Sequence, residues 1–145
     1  MAIGNTNFGN DQGTGTVGAD GFLGPIGSPD APSPVYASFV SGSVADGLTA
    51  AGTNRGTALA LTAAINVVST AAASTGVVLP DAPIGATVSV FNNGANAIKV
   101  YAQGSQTVDG TAGATGATLT KALRCNYTRT TATKWLSAQL GAVSA

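Results

Sequence analysis

The sequence predicts an all-β protein: a small antiparallel β-sandwich or jelly-roll-like body over residues 55–145, preceded by an extended Gly/Pro-rich arm and linker over residues 1–54. Three observations predict it. Short β-branched and apolar runs recur along residues 55–145 with turn residues between them, the pattern of sandwiches and barrels. Several of those runs alternate apolar with polar residues, the period of a strand with one buried face. The first 34 residues, by contrast, hold eight glycines and four prolines and show no hydrophobic period.

The arm comes first. Gly4, Gly9, Gly13, Gly15, Gly18, Gly21, Gly24 and Gly27 break any helix or long strand. Pro25, Pro29, Pro32 and Pro34 favour extended or turn geometry. Such a segment cannot bury enough apolar surface to offset its own ordering entropy, so it is expected to order only against partners. Its large apolar residues are isolated. Phe8, Phe22, Leu23 and Ile26, with Tyr36 and Phe39 in the linker, are the candidate partner-binding anchors. A short strand-like run, Val35–Val40, opens the linker, which then passes through Gly42, Gly47 and Gly52.

The body follows from about Arg55. Strands are predicted at Ala58–Leu61, Ile65–Thr70, Gly76–Leu79, Thr87–Phe91, Ala97–Ala102, Gln106–Val108, Ala117–Thr120, Leu123–Arg129 and Lys134–Gln139. The Ala-rich stretch Ala58–Ala73 has some helical character, but the run INVVST inside it favours strand. In TVSVFNNGANAIKVYA, Val88 and Val90 alternate with polar residues, as do Ile98 and Val100. Asn93-Gly94 suggests a hairpin turn. The apolar parity then pairs Val90 with Ile98 and Val88 with Val100 across a five-residue loop, Asn92–Asn96. Near the C-terminus Leu119, Leu123, Cys125 and Tyr127 share one parity, and Arg124, Asn126 and Thr128 the other. That places Cys125 and Trp135 in or beside the core. Leu140–Ala145 is a small apolar tail.

Composition narrows the function. Charged residues are 8% of the chain, against roughly a quarter in an average domain. So weakly charged a surface suits a protein covered by neighbours better than a free monomer. The charges are also segregated. Residues 1–54 carry Asp11, Asp20, Asp30 and Asp46 and no cation, a net −4. The remainder carries Arg55, Lys99, Lys121, Arg124, Arg129 and Lys134 against Asp81 and Asp109, a net +4. An acidic arm lying on a basic body, its own or a neighbour's, is one consequence; chance among twelve charges is the other.

Catalysis has little to draw on, and no enzymatic role is expected. There is no His and no Glu, so Ser-His-Asp and Cys-His systems are impossible within the chain. Zinc sites of the His/Cys type fail on count, and no EF-hand spacing is present, so no metal or cofactor is expected. Asp81, in LPDAP, and Asp109, in VDGT, read as turn residues. The glycines of GNDQGTGTVGADG lack the lysine and preceding strand of a phosphate loop. Six unclustered cations make a poor nucleic-acid surface. Tyr101, Tyr127 and Trp135 could stack on sugars, though closing a small core is the better use of them. Cys125 is the single cysteine, so no intrachain disulfide forms. No signal peptide and no apolar run of membrane-spanning length is evident, so no membrane partner is expected.

From about Ala58 onward the chain resembles small virion proteins of tailed bacteriophages. The residues that carry the resemblance are TALALTAAINVVSTAAASTGVVLPDAP, then GATVSVFNNGANAIKVYAQGSQTVDG, then Tyr127 and KWLS at 134–137. Proteins of this kind include capsid decoration (cement) proteins and modules of phage fibres, commonly β-rich and often trimeric. The resemblance implies a virion protein on the capsid surface, with the major capsid protein and further copies of itself, as a homotrimer, for partners. It implies no active site and does not cover residues 1–54. The alternative it leaves open is a fibre- or tail-associated module binding a host surface or glycan.

Overall fold

In the computed structural model the described residues are 16–18, 21–23, 26–28, 31–33 and 40–141, with side chains over 43–141. The chain divides into two units, residues 1–35 and residues 36–145. The described residues contain strands and no helix.

The first unit holds two minimal hairpins. Strand β1 (Thr16–Gly18) pairs antiparallel with β2 (Gly21–Leu23), and β3 (Ile26–Ser28) with β4 (Ala31–Ser33). Three-residue strands are what so many glycines permit. Among the candidate anchors, Phe22 and Leu23 fall in β2 and Ile26 in β3. Phe8, Tyr36 and Phe39 lie outside the described residues, as do residues 142–145 of the apolar tail.

The second unit is built from eleven strands in two sheets. They are β5 (Val40–Thr49), β6 (Leu59–Ala60), β7 (Ala63–Thr70), β8 (Gly76–Val78), β9 (Thr87–Asn92), β10 (Ile98–Tyr101), β11 (Thr107–Val108), β12 (Thr111–Ala112), β13 (Ala117–Leu119), β14 (Leu123–Thr131) and β15 (Lys134–Leu140). The large sheet has the order β12-β11-β15-β14-β9-β7-β5, the small sheet β13-β10-β8-β6. Each of the nine strands read from the sequence is present. The additions are the short β12 and the long β5. The latter lies in the stretch assigned to the linker, yet it forms an edge of the large sheet and belongs to the second unit.

The pairing departs from the antiparallel jelly-roll-like arrangement that the sequence predicts. Strands β5, β7 and β9 run parallel in the large sheet, and β6, β8 and β10 run parallel in the small one. The chain therefore winds from sheet to sheet as a short, flattened β-solenoid. Equivalent positions step from Val44 to Ile65 to Ser89 and from Leu59 to Val77 to Val100, so one coil takes 18–24 residues. Antiparallel strands close the winding at its later end: β13 pairs with β10, and β14 pairs with β9. Parity could not foresee this, because alternation fixes which face is buried and not which strand lies alongside.

The Asn93-Gly94 segment shows the difference most plainly. Strands β9 and β10 do not form a hairpin; they lie in different sheets. Val88, Val90, Ile98 and Val100 are all buried in one core, reached from opposite sheets. Facing pairs across a core satisfy the same parity as neighbours within a sheet. Gly94 is present for space: a Cβ there would stand 2.6 Å from Ala71 Cβ and 2.8 Å from Ala71 N. A type I′-like geometry occurs instead at Asp109-Gly110, where both residues have positive φ and link β11 to β12.

A single core fills the space between the sheets. It includes Leu61, Val68, Val77, Leu79, Val88, Val90, Ile98, Val100, Val108, Leu119, Cys125, Tyr127 and Trp135. Cys125 and Trp135 both occupy the interior, Cys125 as its parity leads one to expect. Trp135 Nε1 donates to Gln106 Oε1 at 2.7 Å, so its one polar atom is satisfied in the interior. Asn92, also buried, donates from Nδ2 to the carbonyls of Asn96 and Leu119 and accepts from Gly94 N, which fixes the corner after β9.

Candidate docking surface

The two sheets differ in what covers their outer faces. Gly76, Val78 and Tyr101 lie on the outer side of the small sheet and are buried all the same. The Tyr101 ring packs on Gly76, and its Oη donates to Thr53 O in the segment after β5, where Ala51 bridges to Gly76 at the sheet edge. Gly116 packs on the Tyr101 ring with no room for a Cβ. This double cover explains the unbroken apolar run of GVVL at 76–79, since a strand shielded on both faces has no polar side.

The large sheet has no such cover among the described residues. Its outward positions follow from the register. Arg124 lies between Phe91 and Leu140, Asn126 between Ser89 and Ala138, and Thr128 between Thr87 and Leu136. Ile65 stands beside Ser89 and Val44 beside Ile65, while Val67 stands beside Phe91. Four of the five exposed large apolar residues in the described chain are on this face: Val44, Ile65, Leu136 and Leu140. Val44 is 64% exposed. The fifth, Ile84, stands on the loop between β8 and β9.

Four polar side chains of the face are paired with one another. Thr87 and Thr128 share a hydroxyl hydrogen bond of 2.9 Å, and Ser89 Oγ donates to Asn126 Oδ1 at 2.8 Å. The Arg124 guanidinium sits 5.8 Å from the centroid of the Phe91 ring, in range for a cation–π contact. Internally satisfied hydroxyls and amides lose little when water is removed from over them. A flat, weakly charged face of this kind is suited to being covered by protein.

The remaining groups of chemical interest are spent on structure. Asp109 accepts from both the backbone N and the hydroxyl of Ser137, tying the β11–β12 turn to β15. Asp81 accepts from Arg129 at 2.7 Å. Arg129 also donates to the carbonyls of Ala82 and Ala132, which holds the Pro80–Ala86 loop against β14. Cys125 is free and buried, and desolvation pushes its thiol up from the ordinary value of 9.0. Tyr127 is shifted upward as well, by burial and then by Cys125 beside it. Among the described residues no group of three or more His, Cys, Asp or Glu side chains is placed to hold a metal ion. Tyr101, Tyr127 and Trp135 are each at most 3% exposed. None of them offers a ring for stacking on a sugar.

The sequence drew attention to the arm and not to this face. The signal was there nonetheless: Ile65, Val67, Phe91, Leu136 and Leu140 are apolar at positions where a solvated strand face carries polar residues. No family model matches the chain, and neither a curated protein nor a solved structure does.

Proposed function

We propose that this chain is a phage capsid decoration (cement) protein, which binds the outer capsid surface and bridges neighbouring capsomers. The observation that carries the reading is the largely apolar outer face of the large sheet, which no described residue covers. In a chain with 8% charged residues, such a face supports a life in an assembly. The cadence of residues from Ala58 onward, similar to small virion proteins, supports the same reading. The mechanism is mechanical. Each copy binds the assembled shell and not its separated subunits, so its binding free energy adds to shell stability. The arm, with Phe8, Phe22, Leu23, Ile26, Tyr36 and Phe39 as anchors, supplies wrapped contact area at an ordering cost.

Co-sedimentation with stripped tailed-phage particles tests this. The whole chain should pellet with the shells and raise their resistance to heat. Deleting residues 1–34 should leave a folded body that binds weakly or not at all. Phe22→Ala with Leu23→Ala should weaken attachment more than Asp11→Asn with Asp20→Asn, because buried apolar anchors outweigh screened surface charges. Undiminished binding by the shortened protein would overturn the clamp and favour a fibre- or tail-associated module.

A further inference from the structure

We propose that the outer face of the large sheet is where copies of this chain pack on one another, with Arg124 of one copy against Asp46 of the next. This goes beyond the capsid reading and does not rest on it.

The face carries both halves of its own charge pair at opposite sides. Arg124 is on β14 and Lys134 on β15, toward one side of the sheet but at opposite ends of that strand pair, since Arg124 stands opposite Leu140 and Lys134 opposite Thr131. Asp46 is on β5, at the other edge. The register shifts between the pairs Ala45–Asn66 and Leu48–Val68, so exposed Asp46 and Gly47 together stand opposite outward Val67. The strand order β14-β9-β7-β5 puts three strand spacings between Arg124 and Asp46. That is about 14 Å, too far for the two to pair within one copy. Neither Arg124 nor Asp46 has an ion-pair partner among the described residues. Between them lie Phe91, Val67, Ser89 and Ile65, an apolar strip whose polar members are already hydrogen-bonded.

A partner of a single charge sign would match one side of this surface and repel the other. A second copy matches both: turned so that β14 lies over β5, it brings Arg124 to Asp46 and Phe91 to Val67. Complementary opposite sides allow closure by a two-fold axis, in which each copy's Arg124 meets the other's Asp46. Opposite charges fix the register of such a contact, while the apolar strip supplies most of its affinity.

The test is sedimentation velocity on the full chain over a wide concentration range, with circular dichroism as the check on fold. The wild type should be a discrete oligomer. Ile65→Asp should move its dissociation midpoint roughly tenfold or more to higher concentration. Val44→Asp, at an exposed edge-strand position, should do the same, and it serves if Ile65→Asp fails to fold. Arg124→Asp and Asp46→Arg should each weaken association, and the double variant should recover it. A wild type that stays monomeric throughout overturns the proposal, as do folded face variants with an unchanged mass distribution. A double swap no better than either single change removes the Arg124–Asp46 pairing.

Discussion

Arg129 on β14 donates to the carboxylate of Asp81, 48 residues earlier in the chain, at 2.7 Å. The two partners are unequal. The arginine side chain is 11% exposed and the aspartate 59%. The guanidinium also reaches the Ala82 and Ala132 carbonyls, and the Arg129 backbone exchanges hydrogen bonds with Gly85 and Ala86. The arginine is therefore the hub of the loop that carries Ile84, and the carboxylate is one spoke.

Arg129→Ala should accordingly destabilise the body by about 1–3 kcal/mol, since it strands the part-buried Ala82 carbonyl as well as the ion pair. Asp81→Asn should cost under about 1 kcal/mol, as expected of a well-solvated partner. Urea denaturation of the two variants checks the order. Equal losses would place the stability in the ion pair itself.

Glycine at position 94 answers to packing and not to dihedral freedom. Gly94→Ala should lose about 1–3 kcal/mol, because the added Cβ meets the Ala71 backbone and not a flexible side-chain end. Gly104→Ala meets no atom within 4 Å and has only its φ of +49° to overcome, a strain of roughly 1 kcal/mol. Thermal melting should rank Gly94→Ala as the more harmful, and the reverse order would indicate that the corner after β9 relaxes freely.

Stability should fall at alkaline pH. Burial raises the folded-state values of both Cys125 and Tyr127 above their ordinary 9.0 and 10.0. The unfolded chain loses these protons first, so the contribution is complete below about pH 9 and declines as pH rises through the folded-state values. Each group adds a slope of up to about 1.4 kcal/mol per pH unit in its window. Chemical denaturation from pH 7 to pH 11 should show this decline, and Cys125→Ala should flatten its onset. Thiol labelling of the native protein should be slow over the same range until the body opens. Rapid labelling at pH 8 would contradict the buried assignment.

Much of this molecule is legible in its sequence. The spacing of β-branched runs located nine strands of the body, and parity placed Val88, Val90, Ile98, Val100, Cys125 and Tyr127 inward, because side-chain alternation is a local property of the extended chain. Strand partnership was decided only by the tertiary structure. A buried valine reports that its face is covered; it does not report whether the cover is an adjacent strand, an opposite sheet or a loop such as residues 51–58. The parallel winding of β5–β10, the recruitment of β5 into the large sheet and the separation of β9 from β10 all depend on long-range pairings that period-2 patterns leave open. The outer face of the large sheet has the same origin. Leu140, Arg124, Phe91 and Val67 lie on four strands, far apart in sequence, and become one row only when β15, β14, β9 and β7 are laid side by side.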